Sequence, residues 1–183
     1  KLKDSFGLNR PQRLTPETGW HQISMSPDCS RFIDRYSSLN VPGVTQVRDS
    51  NGNLIQRVST SPDPLDIYAQ CQVELGTVKS ADAQTDNYYR LFYPRDYDPS
   101  KKYPLIVYVY GGPHSQMVTN SWLGNVRMWE MLMAQKGYFV YVQDNRGTQN
   151  RGAAFEKAIN RGCGKAESAD QMAGINSLLE RFP

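Results

Sequence analysis

The chain has 183 residues, 39% of them apolar, 21% charged and 11% aromatic, with a net charge of +3. Such a composition excludes disordered and fibrous classes and fits one domain or pieces of two. The longest apolar run, Leu105 to Tyr110, falls far short of the roughly 20 residues of a membrane span, and the basic residues are scattered rather than gathered into the face a nucleic-acid binder presents. Neither a membrane span nor a nucleic-acid partner is expected.

Trp20 to Met25 alternates with a period near two and stops at Ser26-Pro27-Asp28, a turn signature. Arg31 to Ser38, Val44 to Asp49 and Leu54 to Val58 read as three further strands. The last two are joined across Ser50-Asn51-Gly52-Asn53, and Asn-Gly between strand-like runs is the strongest short-range hairpin signal. His21 alternates with apolar neighbours, so it belongs to strand packing or to solvent. Four strands joined by tight turns within about 40 residues make one propeller blade. A single blade buries little surface, so residues 1–63 are expected to be a terminal blade of a larger array, ending in the linker Ser59 to Pro64.

After the linker the pattern changes. Gln72 to Lys79 and Tyr88 to Tyr93 read as strands. Tyr103 to Tyr110 is apolar on both parities, as in a strand covered on both faces. A Gly111-Gly112-Pro113 loop follows. Trp122, Val126, Trp129 and Met133 then recur at helical spacing, so they predict one core-facing helix, begun at Asn120 or Ser121 and ended by Gly137. Tyr138 to Gln143 reads as the next buried strand, which makes a βαβ unit and hence a parallel sheet. Asp144 to Gly152 is a loop, and Ala153 to Asn160 is a helical turn or two. Glu167 to Leu179 is an amphipathic helix carrying Met172, Ile175, Leu178 and Leu179. Residues 64–183 therefore read as α/β, a mostly parallel sheet with flanking helices.

The chemistry-bearing residues are few. The two histidines, His21 and His114, lie in different segments, and Cys29, Cys71 and Cys163 form no CxxC. HExxH and GxGxxG are absent, so no metal or cofactor is expected. Gly-x-Ser-x-Gly, the elbow that α/β-hydrolase nucleophiles occupy, is absent too. The positive signal is Tyr110-Gly111-Gly112-Pro113-His114, between an apolar strand and a helix, where α/β hydrolases place half of their oxyanion hole. One hydroxyl donor there stabilises a transition state by about 3 kcal/mol. From the local pattern alone, a structural turn with a core tyrosine stays equally open.

Tyr103 to Gln116, YPLIVYVYGGPHSQ, resembles the start of the catalytic domain in the prolyl oligopeptidase family of serine peptidases, on the dipeptidyl peptidase IV branch. Asp144-Asn145-Arg146-Gly147-Thr148, Ala158 to Arg161 and Glu167 to Gln171 are similar to that branch in order and spacing. The resemblance implies a seven- or eight-bladed propeller over an α/β-hydrolase domain that cleaves peptides after proline-type residues through an acyl-enzyme. Tyr110 then matches the oxyanion-hole tyrosine, with Gly111, Gly112, Pro113 and His114 around it. Arg146 lies in the neighbouring loop, where holding the loop or a carboxylate is its expected work, and a loop-stabilising hydrogen bond is the expected work of His114. The triad order Ser, Asp, His places all three beyond Pro183, so this chain is expected to supply half an oxyanion hole and to be inactive alone. An endopeptidase or acylaminoacyl peptidase of the same family, or a non-catalytic hydrolase-fold binding protein, remains the alternative. The resemblance also implies a periplasmic or extracellular parent and is compatible with a homodimer.

Overall fold

Alternation and turn chemistry shape the first half of the chain. The computed structural model describes residues 12–66, 68, 71–125 and 128–182. Strands β1 (Trp20–Met25), β2 (Arg31–Ser38), β3 (Val41–Asp49) and β4 (Leu54–Thr60) form an antiparallel sheet in the order β1-β2-β3-β4. Asp49 stabilises the β3–β4 turn: its Oδ1 accepts the N–H groups of Asn51 at 2.9 Å and Asn53 at 2.8 Å. The buried positions Phe32, Asp34, Val44, Gln46 and Arg48 follow the period of two. Three of them are polar, and they pair with one another. Asp34, fully buried, accepts from His21 Nδ1 at 2.8 Å and from Gln46 Nε2 at 3.1 Å, while Arg48 pairs with Glu17. His21 also stacks on Tyr36, with ring centroids 5.2 Å apart. It therefore belongs to a half-buried polar network.

By its contacts the chain divides into one unit of residues 1–63 with Asn120–Leu123, and a second of Pro64–Thr119 with Gly124–Pro183. Strands β5 (Val73–Lys79), β6 (Asp86–Phe92), β7 (Leu105–Tyr108) and β8 (Phe139–Gln143) form the sheet of the second unit, in the order β5-β6-β8-β7. The mostly parallel sheet expected from the βαβ pattern is corrected to a mixed one. Pairs β5–β6 and β6–β8 are antiparallel, and β7–β8 is parallel. The physical reason is the hairpin β5–β6, which enters the sheet beside β8. Every residue of β8 is buried, whereas β7, at the sheet edge, is half-buried and four residues long. The strand covered on both faces is thus β8, and the Tyr103–Tyr110 run, expected to be the covered one, holds a shorter edge strand.

The single helix expected from Asn120 or Ser121 onward is also corrected. Leu123 and Gly124 adopt φ of +54° and +57°, which an α-helix does not accommodate, so helix α1 (Met128–Gln135) begins only after a separate 3-10 turn over Trp122–Asn125. The Asn120 Oδ1 accepts the N–H of Leu39 at 3.0 Å. Helix α1 buries Glu130, Met131 and Ala134, while Trp129 and Met133 are half-buried, Trp129 against Tyr108 with ring centroids 5.8 Å apart, and Val126 lies outside the described residues. Gly137 ends the helix as expected. Its N–H bonds back to Ala134 O at 3.0 Å and that of Tyr138 to Met133 O at 3.1 Å, the pattern that satisfies terminal carbonyls.

Helix α2 (Ala153–Glu156) runs into a 3-10 turn, and α3 (Ala166–Arg181) follows. The buried stripe of α3 is Glu167, Asp170, Gln171, Gly174 and Leu178, with Met172 and Leu179 exposed. Of the apolar stripe expected through Met172, Ile175, Leu178 and Leu179, Leu178 is buried, whereas Met172 and Leu179 are turned away, because the first half of α3 faces polar partners. Its second half packs on Leu91, Tyr93, Phe139 and Tyr141, where truncating an aromatic such as Phe139 to alanine costs about 3–5 kcal/mol. Glu74 ties the helix end down, accepting both nitrogens of Arg181 at 2.6 and 2.8 Å.

Candidate active site

Tyr110 follows the C-terminal end of β7, the third strand of the second unit, and its side chain is 60% exposed. It is not a core tyrosine. The chain turns at once through Gly111 at φ +70°, a conformation glycine adopts without strain. A Cβ on Gly112 would lie 3.0 Å from Cε1 of Tyr110, so the second glycine gives the ring its room. Pro113 and His114 complete the turn, His114 at φ +57°.

The segment after β8 forms the bed of this loop. Asp144 accepts the N–H groups of Met117 at 2.8 Å and Val118 at 3.0 Å. Asn145 Nδ2 donates to Gly111 O at 3.3 Å, and Asn150 Nδ2 to Gln116 Oε1 at 2.8 Å. His114 Nδ1 meets Glu156 Oε1 at 2.6 Å. Four side chains from residues 144–156 thus hold residues 111–118. Burial pushes the Asp144 carboxyl up to about 6, against the pull of the two N–H groups and of Arg90 and Arg151.

Beneath lies the polar stripe of α3. Gln171 Nε2 donates to Asn145 Oδ1 and to Gln143 O, each at 3.0 Å. Asp170, fully buried, accepts Arg146 N at 3.0 Å, Arg146 Nη2 at 2.8 Å and Ala81 N at 2.9 Å. Arg146 Nη1 pairs with Asp82. Burial pushes the Asp170 carboxyl up, but the Arg146 guanidinium and the backbone N–H groups outweigh it and hold it below the usual carboxylate range. The planar fork of Arg146 is spent on two carboxylates of the fold, so the residue holds its loop. Gly174 lets α3 lie against β8: a Cβ there would collide with Gln143 Oε1 and Tyr141 Oη.

The residues named from sequence therefore fall in two adjoining loops, Tyr110 to His114 in one and Arg146 in the other. Sequence reasoning missed Glu156, Asp170 and Gln171 as partners. For Asp170 and Gln171 the available signal was the polar i, i+3, i+4 stripe of α3, which an apolar-stripe search passes over; Glu156, on α2, offered none. Among the described residues no group of three or more His, Cys, Asp or Glu could hold a metal ion, and no described helix is long and apolar enough to cross a membrane. A cavity of about 340 Å³ is lined by Leu91, Tyr103, Leu105, Phe139 and Phe182. It lies at the N-terminal ends of β7 and β8, whereas ligand sites of α/β sheets lie beyond the carboxyl ends, where Tyr110 stands.

Residues 125–182 match the prolyl oligopeptidase family. Over 180 residues the chain is 31% identical to human dipeptidyl peptidase 8, covering 93% of this chain and 20% of that protein. The crystal structure of a candidate dipeptidyl aminopeptidase IV from Bacteroides ovatus superposes with a TM-score of 0.87 at 42% identity, over 91% of this chain and 24% of that one. That of Porphyromonas gingivalis dipeptidyl peptidase 4 gives 0.82 at 29%, over 92% and 24%. The chain spans between a fifth and a quarter of the length of these relatives. With its glycine loop and its two sheets, the chain is similar to dipeptidyl peptidases over more than nine-tenths of its length, and its residues 125–182 match the prolyl oligopeptidase family.

Proposed function

We propose that this chain is the segment of a serine exopeptidase of the dipeptidyl peptidase type that joins a last propeller blade to the first part of an α/β-hydrolase domain. The four-stranded antiparallel unit is the blade. The mixed-sheet unit is the hydrolase part, and Tyr110 supplies one of its two oxyanion donors. The observation that carries this is the exposed Tyr110 hydroxyl side chain at the carboxyl end of β7, in the loop between the third strand and the first α-helix of its unit, where this fold draws an oxyanion donor.

In the proposed reaction a serine Oγ, supplied by sequence beyond this chain, attacks the scissile carbonyl carbon while a histidine takes its proton. The carbonyl oxygen gains the negative charge, and the Tyr110 O–H donates to it beside the backbone N–H that follows the nucleophile. The tetrahedral species collapses as the histidine returns the proton to the departing amine, and water then releases the acyl group. Tyr110 strengthens its bond only as charge develops, which is the condition for raising kcat rather than ground-state affinity.

The test is turnover by the full-length protein. Cleavage of glycyl-prolyl and alanyl-prolyl chromogenic amides, lost when the amino terminus is acetylated, together with stoichiometric labelling by a fluorophosphonate, supports the proposal. Turnover of the blocked substrates instead moves the assignment to an endopeptidase or acylaminoacyl peptidase. Absence of both labelling and turnover overturns it in favour of a non-catalytic binding protein.

A further inference from the structure

The bond between His114 and Glu156 joins residues 42 apart in sequence, and the His114 side chain is 72% exposed, so packing does not explain its φ of +57°. That conformation costs an L-residue energy, and the bond to Glu156 holds His114 in it. Glu156 stands on a fixed base: its N–H bonds to Gly152 O at 3.1 Å, and its neighbour Phe155 is buried. A carboxylate oxygen only accepts, so His114 Nδ1 carries the proton and donates. An exposed pair of this kind adds little to global stability, and its effect is geometric. Asn145 fixes the loop at Gly111 and Glu156 fixes it at His114, one on each side of the turn that leads out of Tyr110.

We propose that Glu156 is a positioning residue, which through His114 sets the conformation of the Tyr110–His114 loop and so the placement of the Tyr110 hydroxyl. This rests on the assignment of Tyr110 as an oxyanion donor. Displacing a catalytic group by about 1 Å costs up to about 100-fold in rate, and releasing one of two flanking anchors should cost part of that.

The experiment compares Glu156→Ala, Glu156→Gln, His114→Ala and the His114→Ala/Glu156→Ala double variant in the full-length protein, with kcat expressed per fluorophosphonate-titrated site. Glu156→Ala should lower kcat about tenfold with KM within about twofold. Glu156→Gln, whose Oε1 still accepts from Nδ1, should stay within about threefold of wild type, and Glu156→Ala should add nothing in the His114→Ala background. A merely structural role would lower the titratable fraction and leave kcat per site unchanged. That result, or an undiminished Glu156 effect without His114, overturns the proposal. Tyr110→Phe measured alongside separates the two layers: a loss there with none in Glu156→Ala sinks this inference alone, whereas full kcat in Tyr110→Phe sinks the oxyanion assignment and this inference with it.

Discussion

Removing one member of the buried pair Arg90–Glu130 is the sharpest test of how the second unit is held together. Arg90 is fully buried and Glu130 is 1% exposed, with Nη2 and Oε2 2.9 Å apart. Arg90 Nη1 also donates to Met117 O at 3.0 Å and to Gly124 O, so the residue braces the same Met117 that Asp144 holds from its N–H side. Burial pulls the Arg90 guanidinium below its ordinary value, and Glu130 opposes that pull. Glu130→Ala removes the hydrogen-bonded carboxylate partner of a buried cation, leaving only the more distant Asp144, at a cost of about 3–5 kcal/mol. With a urea m-value of about 2 kcal/mol per molar, the unfolding midpoint followed by circular dichroism should fall by about 2 M. The Arg90→Met/Glu130→Leu double variant replaces the pair with apolar side chains of similar volume. It should lose much less than the single variant, the residual cost being the carbonyls of Met117 and Gly124 left without a donor. A single-variant shift below about 0.5 M, or a double variant as damaged as the sum of the two singles, would refute the reasoning.

Gly174→Ala should destabilise by about 2–3 kcal/mol in the same titration: the helix gains up to about 1 kcal/mol of propensity, but the methyl collides with Gln143 and Tyr141 and breaks their 2.7 Å bond. A neutral result would contradict the close approach of α3 to β8. Because Asp144 titrates at about 6 in the fold and near 4 when unfolded, the folded state holds the extra proton between those values. Stability should therefore fall by up to about 3 kcal/mol as pH rises from about 4 to about 6. Asp144→Asn should flatten that stretch of the stability–pH curve, and an unchanged slope would remove Asp144 as its source.

Much of the strand framework was legible because local rules act alone there. The alternation of Trp20 to Met25 and the Asn51-Gly52 turn give the first sheet directly, and Gly137 marks the end of α1. The errors arise where distant partners decide. Trp122 to Met133 has helical spacing, yet the positive φ of Leu123 and Gly124 breaks it, and Gly124 was the visible warning. The stripe Met172, Ile175, Leu178, Leu179 gave the right helix and, Leu178 apart, the wrong face, since Asp170 and Gln171 are drawn inward by Arg146 and Asn145, more than 20 residues away. The mixed sheet was hidden for a related reason: apolar runs reveal that a strand is buried, not which neighbour it pairs with or in which direction. At the site, Tyr110 and the glycines stood out because their types and order are unusual. Glu156 did not, because a helix-end glutamate acquires meaning only when His114 is brought within 2.6 Å.

The central claim, that Tyr110 is an oxyanion donor of a serine peptidase, meets its most direct test in Tyr110→Phe. The phenyl ring keeps the packing over Gly112 and removes one hydroxyl. In the full-length protein, with sites counted by fluorophosphonate titration, kcat should fall about 100- to 1,000-fold while KM stays within about twofold and the melting temperature is unchanged. A variant that turns over proline-type dipeptidyl amides at the wild-type kcat would contradict the claim.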